Sequence, residues 1–190
     1  MVLKPNPDFK LLFSAEQIQQ RIRELARQIS ADYRDRPLHI VCVLKGANMF
    51  LADLVRELEI PVTYDFLSVS SYGSSTEHTG VVRITKDLDD DVESRHVLML
   101  EDIVDTGLTL DYLVNNIKAR RVASLAVAAF LDRPGRRKVD VHIDYVGFTI
   151  PNVYVVGYGL DLGQRHRQYR DIYAVGDVEP PTSAEEGSGA

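Results

Sequence analysis

The stretch "HVLMLEDIVDTGLTL", His96 to Leu110, decides how this chain folds. Four apolar residues, Val97 to Leu100, run without polar alternation, as in a strand buried on both faces of a parallel sheet. The strand ends in two adjacent carboxylates, Glu101 and Asp102. A third, Asp105, follows, and Thr106-Gly107-Leu108-Thr109 leads into an apolar helix. At such a junction the exposed N–H groups and the helix dipole favour an anion, and a phosphate fits well. Gly107 permits close backbone approach, the threonine hydroxyls add donors, and Leu108 need contribute only its N–H. Carboxylates accept hydrogen bonds but do not donate them. Glu101 and Asp102 therefore suit a vicinal diol, such as the ribose hydroxyls, or a hydrated Mg²⁺. Asp105, at the lip of the turn, is within reach of a proton on a group bound above the sugar. Phosphate cradle, diol or metal grip and candidate general base together describe a sugar phosphate under chemical attack. No G-x-x-x-x-G-K-[ST] occurs anywhere, so the turn is not a Walker A loop.

Outward from this stretch, strands and helices alternate. Ser14 opens a capping box with Gln17, and Ile18, Ile22, Leu25 and Ile29 recur at helical spacing, predicting a helix over 15–30. "LHIVCVL" (38–44) is a continuous β-rich run, followed by a helix over 48–58. A strand is expected over 62–72, another over 81–86, a helix over 110–120 and a buried strand over 123–131. Shorter β-like pieces, "HIDYVGF" and "VYVVGY", come next. The tail from Glu179 is small, polar and rich in Pro and Gly, and reads as disordered. This order predicts an α/β fold, a mostly parallel sheet flanked by helices, with ligands at the carboxyl ends of its strands.

The chain has 190 residues, enough for one domain, and no apolar run long enough to span a bilayer. "MVLKPNPDFK" lacks the apolar core of a signal peptide. The single cysteine, Cys42, reads as a buried strand residue. These features fit a reducing cytoplasm. A net charge of −6 argues against a nucleic-acid partner, and the short basic "GRRK" (135–138) reads as a solvated loop after a Pro-Gly turn. The five histidines, at 39, 78, 96, 142 and 166, form no zinc motif.

The E-D-x-x-D-T-G-x-T pattern between strand and helix resembles the phosphoribosyl-pyrophosphate (PRPP) loop of type I phosphoribosyltransferases. The likeness runs from about residue 10 to 177 and narrows to the hypoxanthine–guanine group. It implies that family's fold: a central mostly parallel twisted sheet flanked by helices, with a small hood from the terminal segments. It places one domain over 1–178, with core about 36–135 and hood from about 1–15 and 140–178. The resemblance further implies that Glu101, Asp102, Asp105 and residues Thr106, Gly107, Leu108 and Thr109 bind the ribose and phosphate. Asp105 is then the catalytic acid or base. "VLKGA" is similar to the pyrophosphate loop, with Lys45 and Gly46 as binding residues and, in relatives, a cis peptide entering the lysine. Ser71 and Tyr72 match a mobile loop that closes over the site and excludes water. "FLDRPGRR" resembles a segment that usually reads Leu-Asp-Lys-Pro, in which the lysine donates to the purine 6-oxo group. Here Arg133 stands in its place, and arginine's planar fork is not equivalent to an ammonium. "VYVVGYGLDLGQRHR" implies Tyr154 stacked on the purine, Val155 at its edge, Asp161 near its 2-position and a second Mg²⁺, and Arg167 on pyrophosphate. Metal ligands would be Glu101, Asp102 and Asp161.

The implied enzyme is a Mg²⁺-dependent purine-salvage transferase that moves the phosphoribosyl group of PRPP to N9 of hypoxanthine or guanine. A homodimer or homotetramer is expected, without nucleic-acid or membrane partners. Two alternatives stay open: a xanthine- or guanine-preferring relative, and a non-catalytic, PRPP-sensing regulator that binds nucleic acid.

Overall fold

The computed structural model describes residues 6–71 and 82–176. Six strands form the main sheet in the order β4-β3-β2-β5-β6-β7. They are β2 (Leu38–Leu44), β3 (Val62–Ser71), β4 (Val82–Lys86), β5 (His96–Val104), β6 (Ser124–Asp132) and β7 (Tyr145–Thr149). All neighbouring pairs are parallel except β3 with β4. Strand β2 is buried along nearly its whole length and β5 from Val97 to Glu101, as their unbroken apolar runs require.

One helix layer covers each face. On one side α1 (Ala15–Asp32) and α2 (Asn48–Glu57) pack on Leu38, Ile40, Leu98 and Leu100. On the other, α3 (Leu108–Lys118) packs on Val41, Val97, Met99 and Val127. Alternate residues of one strand thus feed opposite cores, which is the two-residue period of a pleated strand. Helix α1 starts as its sequence predicts: Ser14 Oγ accepts from Gln17 N, and the Gln17 side chain accepts from Ser14 N. Such a cap is worth about 1 kcal/mol. Arg21 of α1 donates to the carbonyls of Val146 and Gly147 on the edge strand β7. Cys42 is fully buried, and burial pushes its thiol up to about 12.

A second, three-stranded antiparallel sheet has the order β1-β9-β8, from β1 (Phe9–Phe13), β8 (Tyr154–Val156) and β9 (Ile172–Val175). Terminal segments build it, as expected of the hood. The main sheet, however, reaches beyond the expected core of 36–135. Residues 145–149 were expected in the hood, yet they pair with β6 as β7, which gives β6 a partner for its ladder. Helix α3 starts at Leu108, two residues earlier than the expected 110, because Gly107 turns the chain with φ of +82°. Among the described residues no helix is long and apolar enough to cross a membrane. The disordered-tail expectation for 179–190 and most of the mobile-loop segment lie outside the described residues.

Candidate active site

The carboxyl ends of β2, β5 and β6 open on two adjoining cavities. The first, about 240 Å³, is lined by Glu101, Asp102, Asp105, Thr106, Gly107 and Thr109 together with Val43, Leu44, Val69 and neighbours. The second, about 170 Å³, is lined by Asp102, Ile103, Arg133, Tyr154, Val155, Leu160 and Asp161. Asp102 and Ile103 line both, so the cavities meet at the end of β5.

The turn between β5 and α3 has the form expected of a phosphate cradle. Gly107 is the N-cap of α3 in a left-handed conformation, and no side chain caps the helix. The first-turn amides thus receive no N-cap side chain, the condition under which a helix start can take an anion. The Leu108 amide has a long contact, 3.4 Å, to Thr106 Oγ1. Leu108 itself is not among the residues lining the cavity. A β-carbon at Gly107 would collide with the Val139 carbonyl, because the following segment is tied down here: the amides of Lys138 and Val139 both donate to Thr106 O. The "GRRK" segment is exposed at Gly135, Arg136 and Lys138, as a solvated loop would be, and departs from that reading at Arg137. Arg137 is largely buried and pairs with Asp132, and Arg136 comes within 3.6 Å of Asp105.

Glu101 is buried and Asp102 partly so. Burial and then the Asp102 charge push Glu101 well above the usual carboxylate range. Burial pushes Asp102 up to about 6, against the pull of the Ile103 amide, which donates to it at 2.7 Å, and of the Arg167 charge. The ion pairs of the site lie elsewhere: Asp105 with Arg133 at 2.7 Å, and Asp161 with Arg167 at 2.6 Å. Two desolvated, mutually repelling carboxylates are a donor set that a divalent cation would relieve. Among the described residues no three acids or histidines close into a metal cage. A Mg²⁺ held here fits the usual pattern of one or two carboxylates, with water and substrate oxygens completing the shell.

Glycines weld the other loops to this acidic corner. The Leu44–Lys45 peptide is cis. A β-carbon on Gly46 would overlap the Asp102 carboxylate, and one on Gly159, at φ of +95°, would overlap the Gly46 carbonyl. Lys45 Nζ donates to Gln164 Oε1 at 3.2 Å, and Arg167 reaches the same oxygen at 3.4 Å. Arg167 also donates to the Gly159 carbonyl at 2.6 Å, and the Gln164 amide donates to Asp161 at 2.7 Å. Lys45, Gly46, Asp161 and Arg167 thus sit in one network at the rim.

In the second cavity Tyr154 is half exposed, with its hydroxyl donating to the Asp161 carbonyl at 2.9 Å, and Val155 is buried beside it. Arg133 is 7% exposed. Its Nε and Nη2 donate to the two oxygens of Asp105 at 3.2 and 2.7 Å, and its Nη1 donates to the Val153 carbonyl at 2.5 Å. Ser71 ends β3, and Tyr72 lies outside the described residues. Sequence reasoning missed Gln164, Gly159, Arg136 and the Val153 carbonyl. Gly159, in "GYGL", carried a signal of close backbone approach; the others carried none, because contacts between distant segments make them matter.

Residues 12–162 match the family described as the phosphoribosyl transferase domain. The chain is 48% identical over 184 residues to the hypoxanthine-guanine phosphoribosyltransferase of Mycobacterium avium, covering 94% of this chain and 89% of that one. It is 44% identical to the protein of the same name from Bacillus subtilis, over 90% of this chain and 93% of the other. Among solved structures, a hypoxanthine phosphoribosyltransferase from Staphylococcus aureus superimposes with a TM-score of 0.85 at 41% identity, covering 88% of this chain and 91% of that one.

Proposed function

The chain belongs to the phosphoribosyltransferase family, and from that membership we propose that it serves purine salvage by moving the 5-phosphoribosyl group of PRPP to N9 of hypoxanthine or guanine. The products are the nucleoside monophosphate, IMP or GMP, and pyrophosphate. One observation carries the reading: an uncapped helix start, an acidic pair and Asp105 share one cavity, and the cavity beside it holds an exposed aromatic ring and a buried guanidinium. In this reading residues 1–178 act as one phosphoribosyltransferase domain.

The 5-phosphate docks on the amides of residues 106–109, and the threonine hydroxyls donate to it. Glu101 and Asp102 accept from the ribose hydroxyls, and with Asp161 they are the residues that would hold Mg²⁺. A bound Mg²⁺ would supply charge neutralisation for the departing pyrophosphate. Lys45, Gly46 and Arg167 receive that pyrophosphate at the rim. Tyr154 stacks on the purine, Val155 meets its edge, and Ser71 and Tyr72 belong to the loop that excludes water. Ribose C1 becomes cation-like as its bond to pyrophosphate oxygen breaks, and the acidic pair stabilises that charge. The purine N9 lone pair forms the new bond to C1. The proton on N7 passes to Asp105, which leaves a neutral base in the product.

Steady-state rates with hypoxanthine, guanine and xanthine, each with PRPP and Mg²⁺, test the assignment. Turnover with hypoxanthine or guanine is expected, and none without Mg²⁺. Turnover confined to xanthine, or absent with all three, contradicts it. The same reading takes the protein to be a cytoplasmic homodimer or homotetramer, which sedimentation of the purified chain tests.

A further inference from the structure

Arg133 stands on the wall between the two cavities. Asp105 lines the first cavity and Arg133 the second, and their fork closes the boundary. Three anchors fix Arg133. Its backbone amide donates to the Val104 carbonyl at 3.0 Å, next to Asp105 in the chain. Pro134 keeps Arg133 out of the helical region, at φ −119° and ψ 76°. The Val153 carbonyl takes one Nη1 proton.

We propose that Arg133 is a positioning residue for Asp105, and that the two form one rigid donor–acceptor unit facing the purine. The proposal rests on Asp105 accepting the N7 proton. A bidentate fork fixes the plane of a carboxylate, which a single ammonium does not. The three contacts leave one N–H on Nη1 and one on Nη2. The remaining lone pairs of Asp105 can face N7–H while a spare Arg133 N–H faces the neighbouring 6-oxo oxygen. N7 then loses its proton to a carboxylate already aimed at it, as N9 bonds to C1 and pyrophosphate leaves with the electron pair of the broken bond.

The test is a double-mutant cycle of R133K and D105N, read as single-turnover rate and as equilibrium purine affinity. R133K keeps a donor for the 6-oxo group but removes the fork. In the parent background it is expected to lower the single-turnover rate by about 10- to 100-fold. Purine affinity is expected to change by less than about threefold, because the donor survives. In the D105N background R133K is expected to change the rate by less than about twofold, since it acts through the missing group. An equal loss in both backgrounds overturns the proposal, because Arg133 would then act on the purine directly. An unchanged R133K rate overturns it too. A D105N rate equal to the parent's overturns the role of Asp105 itself, and the positioning role with it. R133Q takes the same cycle if R133K does not fold.

Discussion

Asp65 and Glu101 are both buried carboxylates of the main sheet, 6% and 7% exposed, and the fold provides for them in opposite ways. Asp65 accepts from the amides of Phe66, Asp89 and Asp90 at 2.6, 2.6 and 3.1 Å, with Lys86 Nζ at 3.5 Å. Burial alone would raise its pKa, but those donors outweigh burial and lower it. Glu101 has a like charge beside it, and burial together with that charge raises it. A carboxylate so satisfied is a structural tie between β3 and the 89–90 turn. A carboxylate so crowded is disfavoured in its charged form, and a cation placed beside it would relieve that cost. Asp105 stands between these cases: it is paired, by Arg133, yet open to a cavity.

That intermediate case gives the largest expected effect. Asp105→Asn should lower the single-turnover rate by about 10²- to 10⁴-fold while PRPP affinity stays broadly intact. A loss below threefold would place Asp105 with Asp65 as a structural group. Next in size, Asp65→Asn leaves backbone donors facing an amide. It should cost about 1.5–3 kcal/mol in urea unfolding while Mg²⁺·PRPP affinity holds. Equal stability would erase the contrast. Glu101→Gln should do the reverse: stability equal to the parent or higher by up to about 1 kcal/mol, with weaker Mg²⁺·PRPP binding by calorimetry. A clear loss of stability would show that Glu101 is satisfied in the empty site.

The smallest effect is in pH. Asp102 has its folded value raised to about 6, above the unfolded carboxylate value of about 3.9. Between those values the folded state binds more protons than the unfolded state, so this group's contribution to stability falls as pH rises through the window. The lowered Asp65 works the other way, its contribution present above the unfolded value and lost as pH falls below it. Asp102→Asn removes only the first. Without ligand, its melting temperature relative to the parent should climb by a few degrees between pH 4 and 7. A relative melting temperature that falls over that range contradicts the raised value.

What could be read in the sequence was local. Strand β5 announced itself by an unbroken apolar run, α1 by its capping box, and the turn into α3 by Thr-Gly at a strand end. Strand β1 gave no such sign. Five residues of "FKLLF" have no partner nearby, and β9, which pairs with them, lies at the far end of the chain. The acidic pair was legible as chemistry, but not which distant segments Gly46 and Gly159 would meet. Arg133 was read as a substituted purine contact. Its hold on Asp105 depends on β6 ending beside β5, which residue order alone does not reveal.

A crystal structure with IMP and Mg²⁺ tests the whole site most directly. The phosphate oxygens should lie roughly 2.7–3.2 Å from amide nitrogens of residues 106–109, with the ribose hydroxyls toward Glu101 and Asp102. A phosphate bound on any other surface, with that turn left to solvent, would contradict the assignment.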